Sequence, residues 1–75
     1  MSNQYDLEGV HGAEVFRTLP EGLKIELRNG AVGEITGNPQ NGAILLITYV
    51  EYPDNPAKVG EEEAVYFLDV KRVIA

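Results

Sequence analysis

The sequence contains no cysteine and very little serine or histidine. The absence of cysteine excludes a disulfide framework, a thiolate zinc site and a cysteine nucleophile. Serine occurs once, at Ser2 near the start of the chain, and histidine occurs once, at His11. We expect His11 to be an ordinary surface residue, because a general base or a metal ligand needs partner side chains held around it. The sequence therefore predicts no catalytic residue.

Basic residues are also scarce. Six lysines and arginines stand against twelve aspartates and glutamates, which gives a formal net charge of −6. This charge repels a polyanion at long range, so a nucleic-acid partner is not expected. The acidic run at residues 61–63 does not have the spaced ligands and the glycine of a calcium loop. We therefore expect this run to face solvent, and we predict no metal site and no cofactor.

Long apolar runs are missing as well. The longest uncharged apolar run covers residues 43–50, whereas a membrane-spanning helix needs about 20 apolar residues. Residues 1–12 have neither the basic start nor the apolar stretch of a secretory signal. These features predict a cytoplasmic protein that has no membrane partner.

Residues 23–28 alternate between apolar and charged side chains, which is the pattern of a strand with one buried face. An Asn-Gly pair follows, and this pair is typical of a tight turn between two strands. A three-residue loop that ends at a left-handed Gly30 places Lys24 opposite Glu34, which is a favourable cross-strand pair. We prefer this register because a slip by one residue would turn Ile35 to the wrong face.

A third strand is predicted at residues 43–50, and it is apolar on both faces. Such a strand is buried on both sides, or a second chain covers one of them. A small barrel has one interior, so the other face must meet the N-terminal arm or another subunit. The loop at residues 38–42 allows either face to point inward. One face holds Leu45, Ile47 and Tyr49, and the opposite face is the predicted oligomer interface, Ile44, Leu46 and Val50.

The C-terminal half is predicted to begin with a long acidic loop at residues 51–63. A fourth strand follows at residues 64–68. We then expect one short helical turn at residues 69–72 and a last short strand at residues 73–74.

The N-terminal part is expected to contribute less regular structure. Residues 14–18 are predicted to add one more strand to the sheet. Residues 1–12 are predicted to form a flexible arm, and residues 13–75 to form the single domain. Three apolar or aromatic side chains are expected to dock the arm: Tyr5, Leu7 and Val10.

This layout resembles that of the SH3-like small barrels, in which four or five short strands coil into a compact barrel. The resemblance rests on residues 22–27, on Gly30, on residues 33–35 and on residues 69–73. Members of this superfamily open with a Gly-x-x-Val/Ile sequence, turn at a glycine, and close with a one-turn helix before a last valine strand. The resemblance implies an all-β fold, a small SH3-like barrel of four to five antiparallel strands with one short helical turn near the C-terminus.

Three branches of the superfamily imply different functions. Residues 25–35 are similar to the KOW element of translation and transcription modules, although the chain lacks the basic residues of those modules. In the type II dihydrofolate reductases, small barrels form a tetramer around a pore, but residues 65–68 do not match their Val-Gln-Ile-Tyr motif. The third branch comprises accessory barrels that dock on larger assemblies, as a small photosystem subunit does, and the layout agrees with it.

We expect the protein to be a small acidic binding or assembly module without enzymatic activity. Its expected partner is another protein or a second copy of the same chain, as a homo-oligomer. Two alternatives stay open: an enzyme or small-ligand binder whose site forms between subunits, and a KOW-like RNA- or ribosome-associated module. Four aromatic side chains are candidates for stacking on a ligand or a proline-rich peptide: Tyr49, Tyr52, Tyr66 and Phe67.

Overall fold

The computed structural model describes residue 7 and residues 11–74. In that part the chain is mostly β-structure, with one short α-helix, α1 (Gly12–Arg17), and two 3₁₀ turns, at Pro56–Lys58 and Phe67–Asp69. The all-β fold class, with antiparallel strands and one short helical turn near the C-terminus, is confirmed. The strands are β1 (Lys24–Leu27), β2 (Val32–Gly37), β3 (Ile44–Glu51), β4 (Glu62–Tyr66) and β5 (Val70–Ile74).

All five strands belong to one antiparallel sheet, in the order β4-β3-β2-β1-β5. The first four strands follow one another as neighbours, and β5 returns to the free side of β1. The two edges of the sheet are therefore β4 and β5, and no pairing joins them in the described part of the chain. The sheet is not closed into the barrel that the resemblance implies. We call the gap between these two edges the open seam.

The β1–β2 hairpin has the register that the sequence predicts. Lys24 lies opposite Glu34, and Ile25 lies opposite Gly33. Gly30 has a φ of 90°, which is in the left-handed region that glycine adopts without a steric penalty. The three-residue loop is therefore confirmed, and it holds the apolar side chains of β1 on one face of the sheet.

That face, the inner face, carries the hydrophobic core. In β3, Leu45, Ile47 and Tyr49 point into the core, with exposed fractions of 0%, 0% and 3%. The structure thus resolves the choice between the two faces of β3 that the sequence leaves open. The largest side chains that are almost wholly buried are Phe16, Leu19, Ile25, Ile35, Leu45 and Ile47.

The strand predicted at residues 14–18 is wrong, because these residues lie mostly in α1. A helix satisfies its backbone groups locally, whereas another strand would need a sheet edge to pair with. In α1, Val15 N donates a hydrogen bond of 3.0 Å to His11 O. The helix still serves the core, since its Phe16 packs against Phe67 with ring centroids 5.0 Å apart. Leu7 is also buried in the core. The rest of the predicted arm up to residue 10, with Tyr5 and Val10, lies outside the described residues.

The C-terminal elements occur in the predicted order, but each begins earlier than expected. The strand predicted at residues 64–68 is β4, which ends at Tyr66, and the helical turn covers Phe67–Asp69 rather than residues 69–72. The shift has a physical cause. Val70 is buried and lies opposite Leu27 in the β1–β5 pair, so the chain must already be extended at residue 70.

Candidate functional site

The four aromatic candidates do not form one patch. Tyr49 and Tyr52 contact each other, with ring centroids 4.9 Å apart and an interplanar angle of 77°. Phe67 packs on Phe16 beneath α1. Tyr66 is 62% exposed on the other face of the sheet. The structure therefore presents two separate surfaces, a cleft that contains the tyrosine pair and an apolar outer face that contains Tyr66.

The cleft lies at the open seam, between the loop that follows β3 and the β1–β2 turn. A hydrogen bond of 3.1 Å from Asn29 Nδ2 to the Tyr52 hydroxyl joins these two segments. The same asparagine accepts a hydrogen bond of 2.9 Å from Ala31 N. The Asn-Gly turn thus shapes the hairpin and also positions one wall of the cleft.

Lys58 supplies positive charge to the cleft. Its Nζ lies 5.4 Å from the ring centroid of Tyr49 and 5.2 Å from that of Tyr52, which is within the range of cation–π attraction. Lys58 Nζ also lies 3.4 Å from Glu63 Oε1. Lys58 is the one basic residue in the acidic segment 51–63, and this isolation was the sequence signal that could have identified it.

Glu63 lies on the inner face of β4, unlike Glu62 beside it. The Tyr49 hydroxyl donates a hydrogen bond to its carboxylate, and this bond, together with Lys58, lowers the pKa of Glu63. Burial, reinforced by the neighbouring carboxylate, raises the pKa of Tyr49 well above its usual range. Tyr49 is therefore a neutral hydrogen-bond donor at neutral pH rather than a phenolate nucleophile.

The cleft has a volume of about 470 Å³. Leu27 and Val65 form an apolar floor, and Arg28 and Asp69 stand at the rim with the free edge of β4 at Ala64. The charged groups inside are already paired, since Glu63 binds both Tyr49 and Lys58. A pocket in this size range can hold a small molecule, but Lys58 and Glu63 already bind each other within the chain.

The second surface is the outer face of the sheet at β3 and β4. Ile44 lies opposite Tyr66, and Leu46 lies opposite Ala64. Leu46 is 43% exposed and Ile44 is half-buried. We call these four residues the outer apolar patch. The predicted interface residue Val50 is exposed on the same face but is separated from the patch by Thr48.

The opposite half of the outer face, at β1 and β5, is mostly polar, although Ile74 of β5 is 37% exposed opposite Lys24. Arg72 Nε donates a hydrogen bond of 2.6 Å to Glu26 Oε1 across the two strands, and this bond lowers the pKa of Glu26. Lys24 and Glu34 form the next cross-strand pair. The apolar character of the outer face is therefore concentrated beside the free edge of β4.

In residue 7 and residues 11–74, no three side chains of histidine, aspartate or glutamate gather closely enough to share a metal ion. None of the described helices has the length and hydropathy that crossing a membrane requires. His11 lies 3.4 Å from Glu14, with both side chains largely exposed.

Comparison of the chain with protein-family models, with curated proteins and with solved structures found no match.

Proposed function

We propose that the protein is a non-enzymatic, cytoplasmic binding module that self-associates through the β3–β4 side of its sheet. The observation that carries this proposal is the outer apolar patch, Ile44, Leu46, Ala64 and Tyr66. Contiguous exposed apolar side chains on a small protein mark interaction surfaces. A chain of this size also gains stability when a partner covers additional apolar area.

The proposal includes an SH3-like relationship for the fold. Two features support it: β5 returns beside β1, and a one-turn helix at Phe67–Asp69 directly precedes the last strand. That superfamily includes modules that dock on larger assemblies. A fold alone does not specify a function, whereas the outer apolar patch is a surface that a partner can cover.

Sedimentation equilibrium over a range of micromolar concentrations tests the self-association. We expect the average mass of the wild-type protein to rise above 8.2 kDa as the concentration increases. Leu46→Glu should shift the protein to the monomer, because it places a charge in the patch. Val59→Glu is the matched control, since Val59 is a similarly exposed apolar residue in the loop between β3 and β4. A wild-type protein that stays monomeric at every concentration would contradict the proposal.

Salt distinguishes this function from RNA binding. Two chains of charge −6 repel each other, so added salt should strengthen self-association by screening that repulsion. Binding to RNA depends on phosphate contacts and weakens as salt rises. Titration of a labelled RNA at low salt should therefore show no binding, and detectable RNA affinity that falls steeply with salt would favour the RNA-associated alternative.

A further inference from the structure

We infer that two copies of the chain pair edge to edge through β4, as antiparallel strands related by a two-fold axis at Ala64. This inference rests on the proposed self-association and names its interface.

The hydrogen bonds between β3 and β4 fix the direction of each backbone group of β4. Phe67 N donates to Ala43 O, and Tyr49 N donates to Glu61 O. The odd-numbered residues of this segment therefore direct their backbone groups toward β3.

The even-numbered residues of β4 direct their backbone groups the other way. Because hydrogen-bonding direction alternates along a strand, the N–H and C=O groups of Glu62, Ala64 and Tyr66 face the open seam. No backbone group in the described part of the chain bonds to them. Unpaired edge groups of this kind are a template for a strand from another chain.

The β4 sequence is complementary to itself in one antiparallel register. When Ala64 lies opposite Ala64 of the second copy, Glu62 lies opposite Tyr66 and Glu63 lies opposite Val65. The free backbone groups of Glu62, Ala64 and Tyr66 then meet one another as hydrogen-bonded pairs. The register that matches the side chains therefore also pairs the residues whose backbone groups face outward. No glutamate lies directly opposite another glutamate in this register. This is favourable, because like charges placed directly opposite are destabilising.

The two kinds of glutamate are placed differently in this arrangement. The two Glu63 residues are diagonal neighbours on the inner face, about 7–8 Å apart, and Tyr49 and Lys58 of the same chain bind each carboxylate, which offsets their repulsion. In the proposed dimer the two Glu62 residues lie four positions apart along the paired strands. At the rise of an extended chain, four positions span about 13 Å. This separation exceeds the Debye length of about 8 Å at physiological ionic strength, so the repulsion between the two Glu62 charges is largely screened.

Edge pairing also joins the outer apolar patches of the two copies. Ala64 and Tyr66 lie on the outer face, beside Leu46 and Ile44 of β3. A two-fold axis at Ala64 places Leu46 and Ala64 of both copies in one apolar row across the centre of a continuous ten-stranded sheet, and Ile44 and Tyr66 of each copy flank this row. The arrangement is closed, because both copies use the same edge.

Pairing of β4 with β5 of a second copy is the competing arrangement. Charge favours it, because β4 is acidic and β5 contains the basic residues Lys71 and Arg72. The structure argues against it in two ways. Arg72 is already bound to Glu26 on its own sheet. The outer face beside β5 carries charged residues and a single exposed apolar side chain, Ile74, so pairing with β5 would cover less of the outer apolar patch than pairing with a second β4. Such head-to-tail pairing would also continue into rings or filaments.

Disulfide cross-linking tests the register directly, because the chain has no cysteine of its own. Cα atoms in a hydrogen-bonded antiparallel pair are about 5.5 Å apart, within the roughly 4.4–6.8 Å that a disulfide spans. Ala64→Cys should therefore form a covalent dimer under a mild oxidant such as oxidised glutathione. Glu62→Cys is the matched control, two residues away on the same exposed edge, and its cross-linked fraction should be several-fold lower.

A mixing experiment sharpens the test. Glu62→Cys and Tyr66→Cys chains, mixed before oxidation, should form a mixed disulfide in preference to either homodimer. Circular dichroism verifies that each variant folds. If the wild-type protein dimerises but Ala64→Cys cross-links no better than Glu62→Cys, the edge pairing is wrong and self-association uses another surface. Species larger than a dimer without an Ala64→Cys cross-link would overturn it in favour of β4–β5 pairing. A monomeric wild-type protein would instead refute the proposed function itself.

Discussion

The two faces of β3 carry similar apolar side chains and meet opposite environments. Leu45 and Ile47 are wholly buried, whereas Leu46 between them is 43% exposed. A weaker contrast exists in β4, where Glu63 is 45% exposed and is bound by Lys58 at the cleft, whereas Glu62 faces solvent on the other side of the strand. Hydropathy alone does not distinguish Leu45 from Leu46. The inner face accounts for the stability of one chain, and the outer face is available for a second one.

Truncation of the inner face should have the largest effect on folding. Ile47→Ala removes buried methyl and methylene groups and leaves a cavity, so we expect it to lower the free energy of unfolding by about 2–5 kcal/mol. Urea denaturation followed by circular dichroism measures the change. A decrease in the free energy of unfolding below about 1 kcal/mol, the value expected of an exposed site, would show that the inner face contributes no more to stability than the outer face does.

Overfilling of the inner face should have the next largest effect. A Cβ at Gly33 would lie 3.0 Å from Ile47 Cβ and would overlap its Cδ1. We expect Gly33→Ala to lower the free energy of unfolding by about 1–3 kcal/mol, as overpacked cores do. Ile47→Val removes the overlapping Cδ1 and should recover part of the loss in the double variant. Strictly additive effects of the two substitutions would show that Gly33 and Ile47 do not compete for space.

The two glutamates of β4 should differ in their contribution to acid stability. The pKa of Glu63 is lower in the folded protein than in the unfolded chain. Its charged form therefore stabilises the fold above the unfolded pKa, and this contribution is lost as the pH falls through the folded-state pKa. The free energy of unfolding, measured from neutral pH down to about pH 3, should fall less steeply for Glu63→Gln than for the wild-type protein. Glu62→Gln is the control, and an equal change in both variants would contradict the assignment.

Truncation of the outer face should have the smallest effect on folding. Leu46→Ser removes a side chain that is already 43% exposed, so we expect the free energy of unfolding to fall by no more than about 1 kcal/mol. Thermal unfolding at a dilute concentration measures this effect without a contribution from self-association. A loss as large as that of Ile47→Ala would mean that the outer face supports the single chain as much as the inner face does.

Local sequence patterns were sufficient for much of the fold. The alternation at residues 23–28 and the Asn-Gly turn predicted β1, the turn at Gly30 and the register of Lys24 with Glu34. These features depend on neighbouring residues and on backbone sterics, which a short segment carries within itself. The order of β3, β4, a helical turn and β5 was likewise predicted, although their bounds moved by up to three residues.

The candidate surfaces were predicted less well, because they depend on residues that are distant in sequence. The pattern grouped Tyr49, Tyr52, Tyr66 and Phe67 as one aromatic site, but strand alternation separates Tyr66 from Tyr49, and α1 covers Phe67. Lys58 and Asn29 were missed, since their roles follow from a loop that folds back toward the β1–β2 turn. The prediction that Ile44, Leu46 and Val50 form an oligomer interface stays a prediction.

The composition and local periodicity established an acidic, cysteine-free β-protein with a defined first hairpin, because these properties are read from short stretches of chain. Packing across the molecule established that the face of β3 with Leu45 and Ile47 is buried and that Phe16 lies in a helix. It also established that β4 and β5 leave a seam open. The physical reason is that each of these outcomes depends on contacts among segments far apart in sequence. A strand that is apolar on both faces is compatible with either orientation until the rest of the core covers one of them.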